Sequence, residues 1–436
     1  MSLGIKKNLI SYTLLLIGIV LLWVTANLSF GKEKWRGVLE ADAKGYYAYL
    51  PAVFIYHDLN FGFFNKIEKD KYYQEHLFYD YRGGGNGKII NKYYAGTALA
   101  QLPFFLAAHG LTFLSAGEVD GYSKLYMYSV PVAAVFYCII GLWFLAGLLR
   151  LYNVKDSVIA LLLLVTVFGT HLFVYTVVES GMSHVFSFSF VCGFLFYSKR
   201  YMLQNRRTDI LKMAFLFGLI VLCRPINALV LFFLIPLNGR MTLLHEFLKN
   251  IVLEWKTIVM SVTIFCAIIS IQLIIYKIST GKFLVYSYQD EGFNFSDPHF
   301  FDILFSYKKG LFLYTPTLFL GLLAVLYLLR TCRFFSISWL LFFLLITYVF
   351  SSWWMWFYGG SFSSRVYVEF IPIFILPLAV TLEICKPWLK KTIFGLLIFL
   401  SLICQVQSYQ YRYYEIHYSD MTKEKYWKVF LMRNHF

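Results

Sequence analysis

Seven ionisable side chains stand at or near the ends of long apolar runs: Asp42, Glu179, His184, Arg224, Lys308, Lys309 and Arg365. Their types divide the work of a polar reaction. A carboxylate can take the proton of an attacking hydroxyl. Guanidinium and ammonium groups can hold an anion and stabilise the charge that gathers on a departing group. The planar fork of an arginine suits a pair of phosphate oxygens, which singles out Arg365 in "SSRVYVEF". Ionisable groups within or beside membrane segments are functional candidates by default.

Asp42 lies in "EADAKGYYAYLPA", soon after the first apolar run, followed by Gly45 and a stretch led by Pro51. That setting turns it toward a cavity rather than bulk water, and Glu40 is the more ordinary acid. Tyr46, Tyr47 and Tyr49 fit an aromatic belt at headgroup depth or walls for a bound sugar. Glu179 and His184 flank the turn "ESGMSH" and read equally as turn residues or as substrate ligands. Asp297 and Pro298 are placed to start an interfacial helix that delivers Lys308 and Lys309, either snorkelling lysines or an anion seat. Trp353, Trp354 and Trp356 are as readily a belt as a binding surface. His171, in mid-span, suits a packing hydrogen bond.

Other patterns carry no chemistry. The glycine run "RGGGNGK" (82–88) lacks the strand and helix that make a phosphate loop and reads as a flexible turn. The seven cysteines all lie within or at the ends of apolar runs with no CxxC, so neither disulfides nor a zinc site is expected.

The elements that must position these groups are helices in lipid. Of 436 residues, 59% are hydrophobic, 20% aromatic and 14% charged, against roughly 25% charged in soluble domains. The net charge of +15 is scattered between apolar runs, which suits cytoplasmic connections and anionic lipid rather than nucleic acid. The first run, 8–28, reads as a retained span rather than a cleaved signal. Further spans are expected at 125–149, 157–178, 184–198, 256–277, 311–330, 335–352, 366–385 and 391–408.

Two segments decide the topology. Gln101, Pro103 and His109 interrupt 98–115, so that segment is expected to lie in the interface. Basic residues flank 209–237 on both sides, and its Arg224-Pro225 break makes it a hairpin of two legs. The result is a single all-α membrane domain, 1–436, with about eleven transmembrane helices. Its outward segments are 29–124, 179–183, the apex at 224–225, 279–310, 353–365 and the C-terminal tail 409–436, whose role stays open. All seven ionisable groups then fall on the extracytoplasmic face.

The chain resembles the GT-C superfamily of membrane glycosyltransferases, in an uncharacterised bacterial branch. The likeness rests on Asp42 in "DAKGYYAYLP", the interfacial helix after it, the turn "ESGMSH", and the segments "LFSYKKGLFLYTP" and "WWMWFYGGSFSSRVYVEFIP". The resemblance implies a polyprenyl-phosphate sugar donor and an active site on the outer face of the plasma membrane. It also implies Asp42 as general base, with Glu179 as a second acid. Arg365, Arg224, Lys308 and Lys309 become donor-phosphate ligands, and Glu179, His184, Tyr46, Tyr47 and Trp356 substrate ligands. The acceptor would be a glycan, lipid or protein hydroxyl. The paired acidic motifs of better-known branches are absent, which leaves open whether a divalent metal bridges Asp42 and the phosphate, with Asp42 and Glu179 its ligands if one is present; no other cofactor is expected. A transporter or flippase of lipid-linked or anionic sugars is the alternative.

Overall fold

The structure, a computed structural model, describes residues 9–75, 78–84 and 89–432; residues 85–88 of the glycine run lie outside them. α1 (Leu9–Ser29) is followed by α2 (Asp42–Phe54), α3 (Gly96–Leu114) and the long α4 (Lys124–Leu151). The span expected at 157–178 breaks at Gly169 into α5 (Asp156–Phe168) and α6 (Leu172–Val177). Then come α7 (His184–Gln204), α8 (Arg207–Cys223) and α9 (Leu234–Asn238). An amphipathic α10 (Met241–Leu253) leads into α11 (Trp255–Thr280). The short α12 (Phe300–Phe305) and α13 (Leu311–Tyr314) lead to α14 (Pro316–Leu328) and α15 (Arg333–Ser351). The chain ends with α16 (Ile371–Ile384), α17 (Pro387–Arg412) and α18 (Lys423–Val429).

Among the described residues, six helices are long and apolar enough to cross a bilayer: α1, α3, α4, α11, α15 and α17. Large apolar side chains stay exposed on α1, α11 and α17, such as Trp23, Val259, Ile274 and Leu402, where acyl chains would cover them. The protein is a mostly helical, multi-pass membrane protein. The segments expected to span at 157–178, 311–330 and 366–385 form shorter helices, and 184–198 lies within the 21-residue α7.

Helix α3 is long enough to cross, yet both its ends are tied to α2. Just before it, the Tyr93 carbonyl accepts from Tyr49 at 2.6 Å. Just after it, the Gly121 carbonyl accepts from Tyr47 at 2.5 Å. α2 has 13 residues and spans about 20 Å, so the chain entering α3 and the chain leaving it both come back to the same short helix. Its polar interruptions face protein: Gln101 is buried, and His109 Nδ1 lies 2.8 Å from the Tyr126 hydroxyl.

Residues 207–238 form a hairpin along α7. On the way up, Asp209 pairs with Arg200, and Arg224 reaches His184. On the way back, Asn227 donates to Ser187 at 2.9 Å, and the Leu237 carbonyl accepts from Lys199 at the same distance. The legs differ in kind. α8 has 17 residues, about 25 Å. The return is nine residues of 3-10 helix, Pro225–Phe233, and the five of α9; the steeper 3-10 rise stretches these to about the same length. Pro225 has no N–H to continue α8, so the turn falls there.

The tip of this hairpin meets the start of α3 at Gly96. A Cβ there would sit 2.3 Å from the Cys223 backbone nitrogen and 2.4 Å from the Leu222 carbonyl carbon. Main chain cannot step aside as a side chain can, so Gly96→Ala is expected to destabilise the protein by about 1–3 kcal/mol. Denaturant unfolding of purified protein reads the loss.

The basic connections gather at one end of the bundle. Lys155 pairs with Glu383, Arg150 with Asp156 and Arg200 with Asp209, while Tyr152 and Lys199 share the Leu237 carbonyl. The segments 29–95, 115–124, 179–183, 279–310 and 353–365 meet at the other.

One local expectation fails. Asp297 does not cap a helix; its N–H lies in a turn on Asn294, and α12 starts only at Phe300. The reason is tertiary: the N–H groups of Asn294 and His299 donate to the carbonyls of Ser352 and Ser351, which pins both ends of the 294–299 turn to that stretch.

Candidate functional site

The site is built where α2, the 179–183 turn and the 363–370 stretch come together. Asp42 is the first residue of α2, and Arg365 begins a short 3-10 turn before α16. Arg365 Nη2 donates to Asp42 Oδ2 at 2.7 Å, across 323 residues of chain. Tyr93 donates to Asp42 Oδ1, also at 2.7 Å. The antiparallel pair β1 (Arg82–Gly83) and β2 (Ile90–Asn91) brings Tyr93 there, and Asn91 fixes the register by donating to the Gly45 carbonyl. Ala41, next to Asp42, holds φ 45°, and Ser363, two residues before Arg365, holds φ 58°. Left-handed backbone at residues other than glycine costs energy and gathers at functional sites.

Electrostatics follow from this geometry. Burial alone would raise the Asp42 pKa; the Arg365 guanidinium and the Tyr93 hydroxyl outweigh it and hold the carboxyl below its usual value. Burial opposes charge on Arg365 too, but Asp42 overcomes it and fixes the guanidinium in its charged form.

A second carboxylate–guanidinium pair lies beside the first. Glu369, fully buried, has Oε1 3.1 Å from His184 Nδ1, 3.2 Å from Asn227 Nδ2 and 3.6 Å from Arg224 Nη1. Arg224 Nη1 also lies 3.1 Å from His184 Nδ1. Tyr46, buried with its ring 4.8 Å from that of Tyr93, is close enough to feel both Arg224 and Arg365.

The remaining candidates divide. Glu179 accepts from Tyr411 of the C-terminal segment, and its other oxygen is buried without a partner, as is Arg365 Nε. Met182 of the same turn brings its sulfur 4.0 Å from Arg365. Lys309, by contrast, is buried, and its ammonium donates to the carbonyls of Ser361 and Tyr418. Burial pulls it down to about 7. It clamps the 361–364 stretch to the C-terminal segment and makes a poor anion seat. Lys308 lies over the Phe357 ring at 3.4 Å, and Trp356 stacks on His299; both belong to the junction of 279–310 with 353–365. Tyr47 is spent on packing, edge-on to Phe105 and Tyr122 with its hydroxyl on Gly121.

The donor set does not fit a divalent metal. Asp42 gives one oxygen to Arg365 and the other to Tyr93, Glu179 is held by Tyr411, and among the described residues no three His, Cys, Asp or Glu side chains gather. No step is therefore assigned to one.

Three members of the cluster were not among the sequence candidates. Glu369 carried a signal, an acid inside an apolar stretch four residues after Arg365. Asn227 and Tyr93 carried none; Tyr93 is one of 34 tyrosines.

Glu179 offers a pH test. Burial lifts it from 4.5 to about 7, against the Tyr411 hydroxyl and Arg365. A folded-state pKa above the unfolded one favours the protonated form, so this contribution to stability is whole below 4.5 and is lost as pH rises through about 7. Glu68, raised to about 7 by burial against Tyr81 and Tyr122, adds the same slope. Glu179→Gln, neutral at every pH, is expected to flatten the decline in melting temperature over that window. An unchanged slope would mean that another group titrates.

No family model matches the chain, and no curated protein matches it. Among solved structures it is similar to the archaeal oligosaccharyltransferase AglB from Archaeoglobus fulgidus, solved in complex with an inhibitory peptide and a dolichol-phosphate. The identity is 10% and the TM-score 0.49, over 98% of this chain and 58% of that one. A likeness at this level assigns no role to any residue here.

Proposed function

We propose that the chain is a membrane glycosyltransferase that moves a sugar from a polyprenyl-phosphate donor to an acceptor hydroxyl on the extracytoplasmic face of the plasma membrane. Asp42 takes the acceptor proton. The acceptor oxygen bonds to the anomeric carbon as the bond from that carbon to the phosphate oxygen breaks. The electron pair stays on the phosphate, which leaves as a stable anion and needs no general acid. Arg365 and Arg224 face the charge that builds there. The single observation that carries the reading is the meeting of Asp42 and Arg365 at 2.7 Å from opposite ends of the chain. Candidate base and candidate anion-binder are in direct contact, and the rings of Tyr46, Tyr93 and Tyr288 pack against one another beside them.

Purified protein given a polyprenyl-phosphate sugar and a panel of glycan, lipid and peptide acceptors should release polyprenyl phosphate and glycosylate one class. Mass spectrometry of co-purifying lipids narrows the donor. Persistent failure across donors, with the protein folded, would sink the reading. The breaks at Gly169 and Arg224–Pro225 also suit a carrier of anionic sugars. Donor movement across vesicles without transfer would select that reading instead.

A further inference from the structure

We infer that Arg365 passes from Asp42 to the donor phosphate when the donor binds, so that the substrate itself unmasks the carboxylate that deprotonates the acceptor. This rests on the function proposed above and adds to it an order of events.

The pair is half made. A guanidinium carries five donors, and a phosphate takes two of them side by side. In Arg365 only Nη2 is spent on Asp42; Nε is buried without a partner, and Nη1 has the Met182 sulfur at 4.0 Å. The fork is thus charged, fixed and only partly used, and Glu179, in the same turn as Met182, also keeps a buried oxygen without a partner.

A carboxylate locked to that cation is a weak base, because its proton affinity is held down. An arriving phosphate competes for the guanidinium and sets its own negative charge beside Asp42. Both effects raise the affinity of Asp42 for a proton. The groups that face Asp42 are Arg365, Tyr93 and Lys92, with Tyr46, Tyr79 and Tyr288 around them. Once Arg365 has moved, the cations left nearby are Lys92, already held by Glu291 at 2.5 Å, and Arg224, already paired with Glu369. Tyr93 keeps the carboxylate in place throughout. A resting site of this kind holds no naked charge, and its base awakens only beside a donor.

The inference predicts a paradox. Asp42→Asn removes the base and also the competitor for Arg365, so full-length protein should bind polyprenyl phosphate at least about tenfold more tightly than wild type. Polyprenol, without the phosphate, is the control. Unchanged or weaker binding by a folded variant would overturn the hand-over and leave the proposed activity standing. A wild type that prefers the phosphate no more than the alcohol would remove both. A second measurement needs no variant. The acid limb of kcat at saturating donor should lie roughly one pH unit or more above that of kcat/KM for the donor. Coincident limbs would overturn the inference.

Discussion

Asp42→Asn should lower the transfer rate by about 10²–10⁴, the range that a lost general base costs. The substitution is close to isosteric. An asparagine keeps one acceptor oxygen, enough for the bond from Tyr93, while its amide group can no longer accept from Arg365 as the second carboxylate oxygen does. What is lost to the chemistry is the ability to take a proton. The effect should therefore fall on kcat, with no rise in KM for the donor, which separates a chemical role from collapse of the pocket. Rates at saturating donor and acceptor, beside a melting curve, make the comparison. A variant that keeps a tenth or more of the wild-type rate would strip Asp42 of its role.

Much of this arrangement was legible because lipid simplifies the code. The hairpin at 207–238 follows from basic residues on both flanks and a proline that cannot continue α8. The gathering of Asp42, Glu179, His184, Arg224 and Arg365 follows from the same counting of sides, although they come from distant parts of the chain. What could not be read was which charged group each side chain would choose. Lys309 and Arg365 look alike as cations beside an outward loop, yet one is consumed by two carbonyls and the other meets Asp42. That choice depends on where the C-terminal segment folds back, and Tyr411 and Tyr418 give no sign of it in sequence. Asp297 failed for a related reason: a good local cap lost to pairing with residues more than fifty positions away.

The two pairs also explain why so polar a centre is tolerated in a lipid-borne fold. An isolated buried charge is far more costly than a paired one. Here Asp42 answers Arg365 and Glu369 answers Arg224, so the cluster is close to neutral. Tyr93, Asn227 and His184 fill part of the remaining hydrogen-bonding capacity. Buried oxygens of Glu179 and Glu369, and Arg365 Nε, stay unpartnered. Polar atoms of that kind, left bare inside a protein, call for water or a ligand.

Glu369→Gln should be among the most destabilising single changes in the chain, by about 3–5 kcal/mol, because it strands the charge of Arg224 in a buried site. Glu369 is completely buried, and Arg224 keeps 15% of its side-chain surface. Glutamine can still accept from Asn227, so shape and one hydrogen bond persist while the charge is lost. Arg224→Gln on its own should be harmful for the mirror-image reason, leaving Glu369 buried beside His184 without its guanidinium. The double variant is the decisive member. With both charges gone it should recover much of the loss, and the coupling energy of the cycle should be strongly favourable. Additive losses would mean that the two side chains are neighbours without being partners, and Arg224 would then be free to serve as a full cation for the donor. Strong coupling instead makes Glu369 the group that sets how much of that cation a phosphate can claim.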